Sequence, residues 1–189
     1  MKRSLLSAAA ACALVASASV AQAQSMSPVK FGVSGGVALP SGDLSKGVSS
    51  GYNVAGHLGF MAPMFPAGLR ADVAWNKFGQ KNNSGVDFSI LSGTLNGVFN
   101  LSPGMPASPY LLAGVGMYRG KSDIKNCPPT ITSSNTATDF GLNGGLGLKF
   151  NLSGFSTFAE VRYHYVMSKD TKTGATNTPF IPISFGIMF

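Results

Sequence analysis

The chain has 189 residues, of which 44% are hydrophobic, 11% are charged and 24 are glycine, and its formal net charge is +7. Beyond the N-terminal region no apolar run approaches the roughly 20 residues that a membrane-spanning helix needs, which excludes a helical membrane protein. The basic excess is mild and is not concentrated in a helix rich in lysine and arginine, so we expect no nucleic-acid partner. Polar and apolar residues alternate regularly, which argues against a flexible low-complexity chain.

The first residues have the three parts of a secretory signal peptide. Lys2-Arg3 is basic, Leu5–Val20 is apolar, and Ala21-Gln22-Ala23 supplies the small residues of a cleavage site after Ala23. We therefore expect residues 1–23 to be a signal peptide and residues 24–189 to form a single exported domain. Loss of the two basic residues would lower the formal charge from +7 to +5.

The two cysteines give no sign of a disulfide or a lipid anchor. Cys12 lies inside the apolar run and follows three alanines, without the leucine-type residue that a lipoprotein cleavage site has three places earlier. It is therefore interpreted as an ordinary signal-peptide residue. The exported domain then has Cys127 alone, which cannot close an internal disulfide in an oxidising compartment.

Alternation with a period of two predicts eight strands of roughly ten residues, the length that a tilted membrane strand requires. We therefore predict an all-β fold: an eight-stranded antiparallel transmembrane β-barrel with an up-and-down meander. The fourth and fifth segments alternate less cleanly, which leaves their inward and outward faces open. The predicted strands span residues 29–39, 51–61, 67–78, 87–101, 107–119, 138–152, 155–167 and 179–189.

The connections alternate in character, which predicts the orientation. Short uncharged connections belong on the periplasmic side of such a barrel and long polar loops belong outside, so both termini are expected on the periplasmic side. The short connections are residues 62–66, 102–106 and 153–154, and the long ones are 40–50, 79–85, 120–137 and 168–178.

The aromatic residues support this assignment, since their height along the strands did not enter the choice of face. Predicted outward aromatics gather near the loops or near the turns, as the two interfacial girdles of a membrane barrel do. The group near the loops is Tyr52, Trp75, Phe140, Tyr163 and Tyr165; the group near the turns is Phe31, Phe60, Phe99, Phe150, Phe155 and Phe189.

The last two predicted strands resemble a known family. Phe158–Tyr163 and Ile181–Phe189, the second ending on Phe189, resemble the eight-stranded outer-membrane β-barrel proteins of the OmpA/OmpX type, and the likeness extends over essentially the whole exported chain. It implies a location in the bacterial outer membrane and contact with outer-membrane lipids and lipopolysaccharide. It also implies recognition of Phe189 by the barrel assembly machinery. Pro182 cannot donate a ladder hydrogen bond, so we expect a bulge or irregular pairing there.

Charged and histidine side chains are predicted to point into the barrel from two opposite walls. An eight-stranded lumen is only wide enough to be filled by its own side chains. Buried charges are tolerated when they are paired, so a structural ion-pair plug is the favoured interpretation and a gate or proton-linked site is the alternative. The predicted lumen network is His57, Arg70, Asp72, Lys149, Glu160, Arg162 and His164.

Catalysis is not expected. Some barrels that modify lipid A resemble serine hydrolases, which need a serine, a histidine and a carboxylate in mutual reach. Here His164 and Glu160 share one face, but no serine lies two places from either histidine. The sequence also has no metal-binding spacing, no phosphate loop and no redox cysteine pair, so no cofactor is expected.

The loop ends are the remaining place for a function. Their charge is net basic, which suits a rim that faces lipopolysaccharide phosphates, and a specific extracellular ligand is the sharper alternative. Cys127 in the longest loop could form a mixed disulfide, although an inert thiol is the favoured interpretation. The basic residues are Lys46, Lys77, Lys81, Arg119, Lys121, Lys125, Lys169 and Lys172, against Asp43, Asp87, Asp123, Asp139 and Asp170.

The sequence therefore predicts a structural or surface-interaction protein of the outer membrane with a filled lumen. Two alternatives stay open, a small-solute channel or transporter and a lipid A-modifying enzyme. A secreted soluble barrel of the lipocalin type is the rival fold, but it would direct apolar rather than charged residues inward.

Overall fold

The computed structural model describes residues 29–42, 44–61, 66–80, 86–124, 134–167 and 177–189. The predicted signal peptide and both cysteines lie outside these residues. So do the loop charges Asp43, Lys81, Lys125, Lys169, Asp170 and Lys172. Within the described residues, no helix has the length and hydropathy needed to cross a membrane.

Eight β-strands and one short helix make up the described part of the chain. In chain order they are β1 (Val29–Pro40), α1 (Leu44–Gly47), β2 (Val48–Met61), β3 (Ala67–Gln80), β4 (Val86–Asn100), β5 (Ala107–Ile124), β6 (Ser134–Asn151), β7 (Ser156–Met167) and β8 (Thr178–Met188).

The strands form one closed antiparallel barrel in which each strand pairs with the next in sequence. The last strand, β8, returns to β1, with Gly32 opposite Met188 at one end and Pro40 opposite Phe180 at the other. Closure gives every strand two neighbours, so no edge exposes a row of unpaired backbone groups. The predicted eight-stranded up-and-down barrel is confirmed.

The connections divide between two ends of the barrel. Residues 62–66, 101–106 and 152–155 connect strands at what we call the turn end, and residues 41–47, 81–85, 125–133 and 168–177 connect them at the loop end. Both the first and last described residues lie at the turn end. There, the Phe189 N–H donates to the Phe31 carbonyl at 2.7 Å, and the Phe31 N–H donates to the Phe189 carbonyl at 3.1 Å.

Strands β5 and β6 extend farther towards the loop end than predicted. The β5–β6 ladder continues to Asp123 opposite Ser134, whereas the predicted strands ended at residue 119 and resumed at 138. Most of the added residues are polar, as in the pair of Lys121 and Thr136 and the next pair of Ser122 and Asn135. Alternation of hydrophobicity therefore could not reveal them.

Strand β2 begins at Val48 rather than at residue 51, because a bulge hides its first residues. The register against β3 shifts by one position between Ser49 and Tyr52. This shift exchanges the inward and outward faces, and it places Val48 inside the barrel. At Gly51 a Cβ atom would overlap the carbonyl oxygen of Lys77, so the bulge requires glycine there.

Pairing at Pro182 is irregular, as predicted. The β1 side of β8 keeps its register through Ala38 opposite Pro182. On the β7 side the ladder is interrupted between Val161, which faces Ile183, and His164, which faces Phe180, without a change of register. The missing proline N–H therefore breaks the ladder locally and does not produce a bulge.

The outer surface is apolar along the middle of the wall. Val33, Val73, Leu146 and Phe185 have exposed fractions of 59%, 62%, 61% and 67%. An apolar surface of this extent on a closed barrel is typical of contact with lipid and not with water. It argues against the lipocalin-type alternative.

Aromatic side chains mark both borders of this apolar surface. At the loop end Tyr52 packs edge to face on Trp75 with ring centroids 5.6 Å apart, and at the turn end the rings of Phe155 and Phe189 are 6.4 Å apart. All eleven aromatics predicted to face outward are exposed. Phe185, which the two predicted girdles did not include, also faces outward, four residues before Phe189.

Inward glycines on β6 make room for large side chains from neighbouring strands. A Cβ atom at Gly147 would overlap the ring of Tyr110, and one at Gly145 would lie 2.8 Å from Cγ of Arg162. Glycine thus lets a tyrosine and an arginine lie directly against the backbone of β6. This is how a narrow barrel accommodates the side chains of its interior.

Candidate functional site

The middle of the barrel interior contains an ion-pair layer formed by His57, Arg70, Asp72, Glu160 and Arg162, all of them buried. Arg70 donates from Nη2 to Glu160 Oε2 at 2.7 Å and from Nε to Asp72 at 3.1–3.2 Å. Arg162 donates from Nε to Glu160 Oε1 at 2.6 Å and from Nη2 to Asp72 Oδ2 at 2.8 Å. Two cations and two anions therefore alternate in a set with no formal net charge.

Strand parity and register produce this arrangement. Arg70 and Asp72 are two residues apart on β3, so they share the inward face, and the same holds for Glu160 and Arg162 on β7. His57 is directly opposite Asp72 on β2. The two pairs start from different walls, and their long side chains meet inside the lumen.

Neutral side chains complete the hydrogen bonds of the two carboxylates. The Tyr110 hydroxyl donates to Glu160 Oε2 at 2.6 Å, and Asn96 Nδ2 donates to Asp72 Oδ2 at 2.8 Å. The Arg70 guanidinium also lies 5.9 Å from the ring centroid of Phe158. Buried charges are tolerated when their remaining lone pairs and protons are satisfied in this way.

Ser34 contacts the ion-pair layer through His57, which in turn contacts Asp72. Ser34 Oγ is 2.8 Å from His57 Nε2, and His57 Nδ1 is 2.7 Å from Asp72 Oδ1. With its proton on Nδ1, the ring donates to Asp72 and accepts from Ser34. This is the connectivity of a nucleophile, its base and an orienting carboxylate. The sequence did not predict it, because Ser34 is remote from both histidines along the chain.

An apolar loop-end cluster lies in the interior between the ion-pair layer and the loop end. His164 stacks on Phe180 with centroids 4.6 Å apart and an interplanar angle of 4°, and its Nδ1 lies 2.8 Å from the Tyr118 hydroxyl. Phe78 packs edge to face on Phe180 at 5.9 Å. The buried members of the cluster are Ala38, Val48, Phe78, Ile90, Tyr118, Val166 and Phe180.

A second apolar layer, the turn-end cluster, lies below the ion-pair layer. Its buried members are Val98, Tyr110, Leu112 and Phe158, with Met61 and Met188 packed against them. The ring of Phe158 also packs edge to face on His57 at 5.4 Å. The turn-end cluster therefore contacts the ion-pair layer directly.

Two small cavities lie among the described interior residues. One of about 20 Å³ borders the ion-pair layer and is lined by polar side chains that include Ser34, His57 and Ser184. A second, of about 30 Å³, lies at the turn end next to Arg70 and Tyr110. A water needs roughly 10–15 Å³ of such a cavity, so the smaller cavity has room for about one or two waters and the larger for about two or three.

The structure brings five of the seven predicted network residues together. His164 has the Tyr118 and Phe180 contacts instead, and no ion pair joins it to Asp72 or Glu160 within the described structure. Lys149 also lies outside the layer, because it pairs with Phe158 along β7, one inward position nearer the turn end than Glu160. The alternation along each strand assigns both residues to the interior, but it does not give their position along the barrel axis.

Several members of the site were not predicted. Asn96 and Tyr110 are on β4 and β5, the strands whose faces the sequence left open, and both point inward. Ser184 donates to Asn53 Oδ1 at 2.9 Å, and Asn53 Nδ2 donates to Asn76 Oδ1 at 2.7 Å. The alternation of strands two and three indicates that both asparagines face inward, but their pairing depends on the register between β2 and β3.

Nothing in the described part of the chain resembles a metal centre, since no three His, Cys, Asp or Glu side chains are grouped to hold an ion. The carboxylates of the ion-pair layer already accept hydrogen bonds from arginine, histidine, tyrosine and asparagine. The two carboxylates therefore have their hydrogen-bond donors within the protein, as is typical of a structural network.

Comparison with solved structures shows the same architecture in other bacteria. The fold is similar to that of Neisserial surface protein A (TM-score 0.69, 19% identity, covering 86% of this chain and 96% of that chain). It is also similar to the N-terminal β-barrel domain of Pseudomonas aeruginosa OprF (TM-score 0.53, 14% identity, 86% and 98%). For OprG from Pseudomonas aeruginosa the TM-score is 0.52 at 16% identity, with 86% and 97% covered. At these identities the likeness concerns the fold alone.

A comparison with curated protein sequences gave no match. The family model described as outer membrane protein beta-barrel domain matches residues 8–189, which is nearly the whole chain. Its match agrees with the closed eight-stranded sheet, the apolar outer wall and the aromatic borders. The chain therefore belongs to the outer membrane protein beta-barrel domain family and is a bacterial outer-membrane barrel.

Proposed function

We propose that this protein is a non-enzymatic surface protein of the outer membrane, with an interior that acts as a structural plug and a loop end that faces outside as an interaction surface. The stacking of the three interior layers carries the proposal. The ion-pair layer crosses the lumen, and an apolar cluster lies on each side of it. An ion would have to pass two apolar layers, which is unfavourable without water.

Ion conductance tests the plug. The purified barrel is inserted in planar lipid bilayers and its single-channel current is recorded. Little or no current is expected because side chains fill the lumen. Large and steady channels would contradict the plug and would support the channel alternative.

The interaction surface is proposed from the charges at the loop end. Lys77 on β3 and Lys121 on β5 both face outward, and each is directly opposite Ser89 on β4, so they lie in one row across three strands. Arg119 is exposed two residues before Lys121 on the same face. A basic surface beside the aromatic border suits the phosphates of lipopolysaccharide and an acidic extracellular ligand.

Binding measurements test this surface. The barrel in phospholipid nanodiscs is presented to a panel of lipopolysaccharide, surface glycans and matrix proteins. Combined Lys77→Glu and Arg119→Glu substitution should weaken the binding that the wild type shows, and the loss should shrink at high salt. Lys30→Glu, at the opposite end, is the matched control. Equal binding by both variants would contradict a role for the loop-end cations.

The absence of catalysis is proposed from the surroundings of Ser34. The cavity beside Ser34 and His57 measures about 20 Å³, which leaves no room for an acyl substrate. Asp72, the carboxylate of the set, is engaged by both arginines of the ion-pair layer. The serine, histidine and aspartate therefore serve as one more hydrogen-bonded chain inside the plug.

A further inference from the structure

The turn-end cavity has two lysines on its wall, and the ion-pair layer does not need either of them. Lys30 on β1 and Lys149 on β6 both line the cavity. Neither has an acidic partner among the residues that the structure describes. Arg70 and Arg162 are already balanced by Asp72 and Glu160, so neither lysine is needed to balance the ion-pair layer.

The acidic side chains that the structure describes lie away from these two lysines. The chain has seven acidic side chains. Asp72 and Glu160 belong to the ion-pair layer. Asp87, Asp123 and Asp139 are in β4, β5 and β6 near the loop ends of these strands, and Asp43 and Asp170 lie outside the described residues. Among the described residues, no acidic residue lies nearer the turn end than Asp72 and Glu160.

The rest of the cavity wall combines an apolar surface with an unused polar atom. Val98, Phe158 and Met188 supply apolar surface. Asn100 also lines the cavity; it is 6% exposed, and its Oδ1 has no hydrogen-bond partner among the described residues. A buried amide oxygen without a partner is rare in proteins, so a water that donates to it is expected in the cavity.

We propose that the turn-end cavity binds a small organic anion, with the carboxylate held between Lys30 and Lys149 and a short alkyl chain packed against Val98, Phe158 and Met188. The volume of about 30 Å³ restricts the enclosed part to a few carbon atoms. Arg70 and Tyr110 form the inner wall, so the ligand enters and leaves by the turn end. In the proposed orientation this is a site for a soluble periplasmic carboxylate.

Titration of the folded barrel in zwitterionic phospholipid nanodiscs tests the site, with sodium butyrate as the probe and amide chemical shifts as the readout. Saturable shifts are expected near Lys30, Val98 and Phe158, with a dissociation constant on the order of 1 mM for so small a ligand. Butan-1-ol and butylammonium, which have the same chain without the negative charge, should produce no saturable shifts at these residues.

Two variants separate this site from other cations. Combined Lys30→Met and Lys149→Met should weaken butyrate binding at least tenfold, whereas Lys77→Met, at the other end of the barrel, should leave it unchanged. Equal affinity in the double variant and the wild type would overturn the proposal, as would equal binding of butyrate and butylammonium by the wild type. If the double variant does not fold, the comparison of the three probes on the wild type decides the question.

Discussion

Arg70 on β3 and Glu160 on β7 join two separated walls of the barrel through a 2.7 Å hydrogen-bonded ion pair. Each strand is bonded only to its sheet neighbours, so this contact is a brace across the lumen and not part of the backbone ladder. The same glutamate accepts from Arg162 at 2.6 Å and from Tyr110 at 2.6 Å. One carboxylate thus ties together three strands.

Removal of this carboxylate should destabilise the barrel strongly. Glu160→Ala leaves both arginines with Asp72 as their single anion, and breaking a buried pair costs about 3–5 kcal/mol where water is excluded, and less where it enters. Thermal unfolding of the detergent-folded protein measures the loss. Thr138→Ala on the exposed face of β6 is the control and should change little. A Glu160→Ala barrel as stable as the wild type would show that the layer does not stabilise the fold.

The same variant should conduct more than the wild type. Loss of the side chain enlarges the polar cavity of about 20 Å³ and leaves an uncompensated cation that attracts water. The expected change in planar bilayers is brief, small current steps. The loop-end and turn-end clusters remain in place, so full open channels are not expected. Their appearance would show that the ion-pair layer alone closes the lumen.

Phe189 is proposed to be the signal that the barrel assembly machinery reads. Its deletion, or Phe189→Asp, should leave export intact and reduce the amount of folded barrel in the outer membrane, measured by fractionation and gel migration. Phe185→Ala is the matched control, because Phe185 is also an exposed aromatic on the outer face of β8. Normal assembly of the Phe189 variants would remove the role assigned to this residue.

A side chain at Gly147 should destabilise the barrel. A Cβ atom there would overlap the ring of Tyr110 and so displace the hydroxyl that donates to Glu160, and overpacking of this kind costs about 1–3 kcal/mol. Gly56 is the matched control, since a Cβ at this outward strand position meets no atom within 4 Å. Gly147→Ala should lower the unfolding temperature and Gly56→Ala should not. Equal unfolding temperatures for the two variants would mean that Tyr110 moves aside without loss of stability.

Ser34 should not react as a nucleophile. A fluorophosphonate probe should fail to label the folded barrel, and Ser34→Ala should leave the lipid A of the producing cells unchanged in mass spectra. Unfolded protein is the control for non-specific labelling. Stoichiometric labelling that disappears in Ser34→Ala would replace the structural interpretation of Ser34, His57 and Asp72 with a catalytic one.

The sequence predicted the fold best where polar and apolar residues alternate clearly with a period of two. On β7 the outward face carries Val161 and Tyr163 and the inward face carries Glu160 and Arg162, so membrane and lumen impose opposite demands on successive residues. On β5 that contrast is absent, because the inward Tyr110 and Leu112 are as apolar as the outward Leu111. Hydrophobicity alone cannot orient such a strand.

The charged members of the ion-pair layer were predictable from the sequence, but its neutral members and its geometry were not. Parity places Arg70 and Glu160 inside the barrel, and the ring order places them on different walls. The position of a side chain along the barrel axis, and the groups that it contacts, depend on the register between strands. The sequence does not give this register. Hence His164 has Phe180 as its neighbour and Lys149 has Lys30 near it at the turn end, although both were expected in the ion-pair layer. The contact between Ser34 and His57 depends on register in the same way.

The β1–β8 seam has a consequence for the order of folding. Seven of the eight strand pairings are hairpins between sequence neighbours, but the seam brings together Gly32 and Met188. Closing a loop about ten times longer than a hairpin costs roughly 2 kcal/mol more in chain entropy. The hairpins can therefore form independently and early, whereas the seam has to wait for both ends of the domain. A half-formed barrel is an open sheet with two long edges of unpaired backbone N–H and C=O groups. It avoids aggregation only if β1 and β8 are protected until they pair.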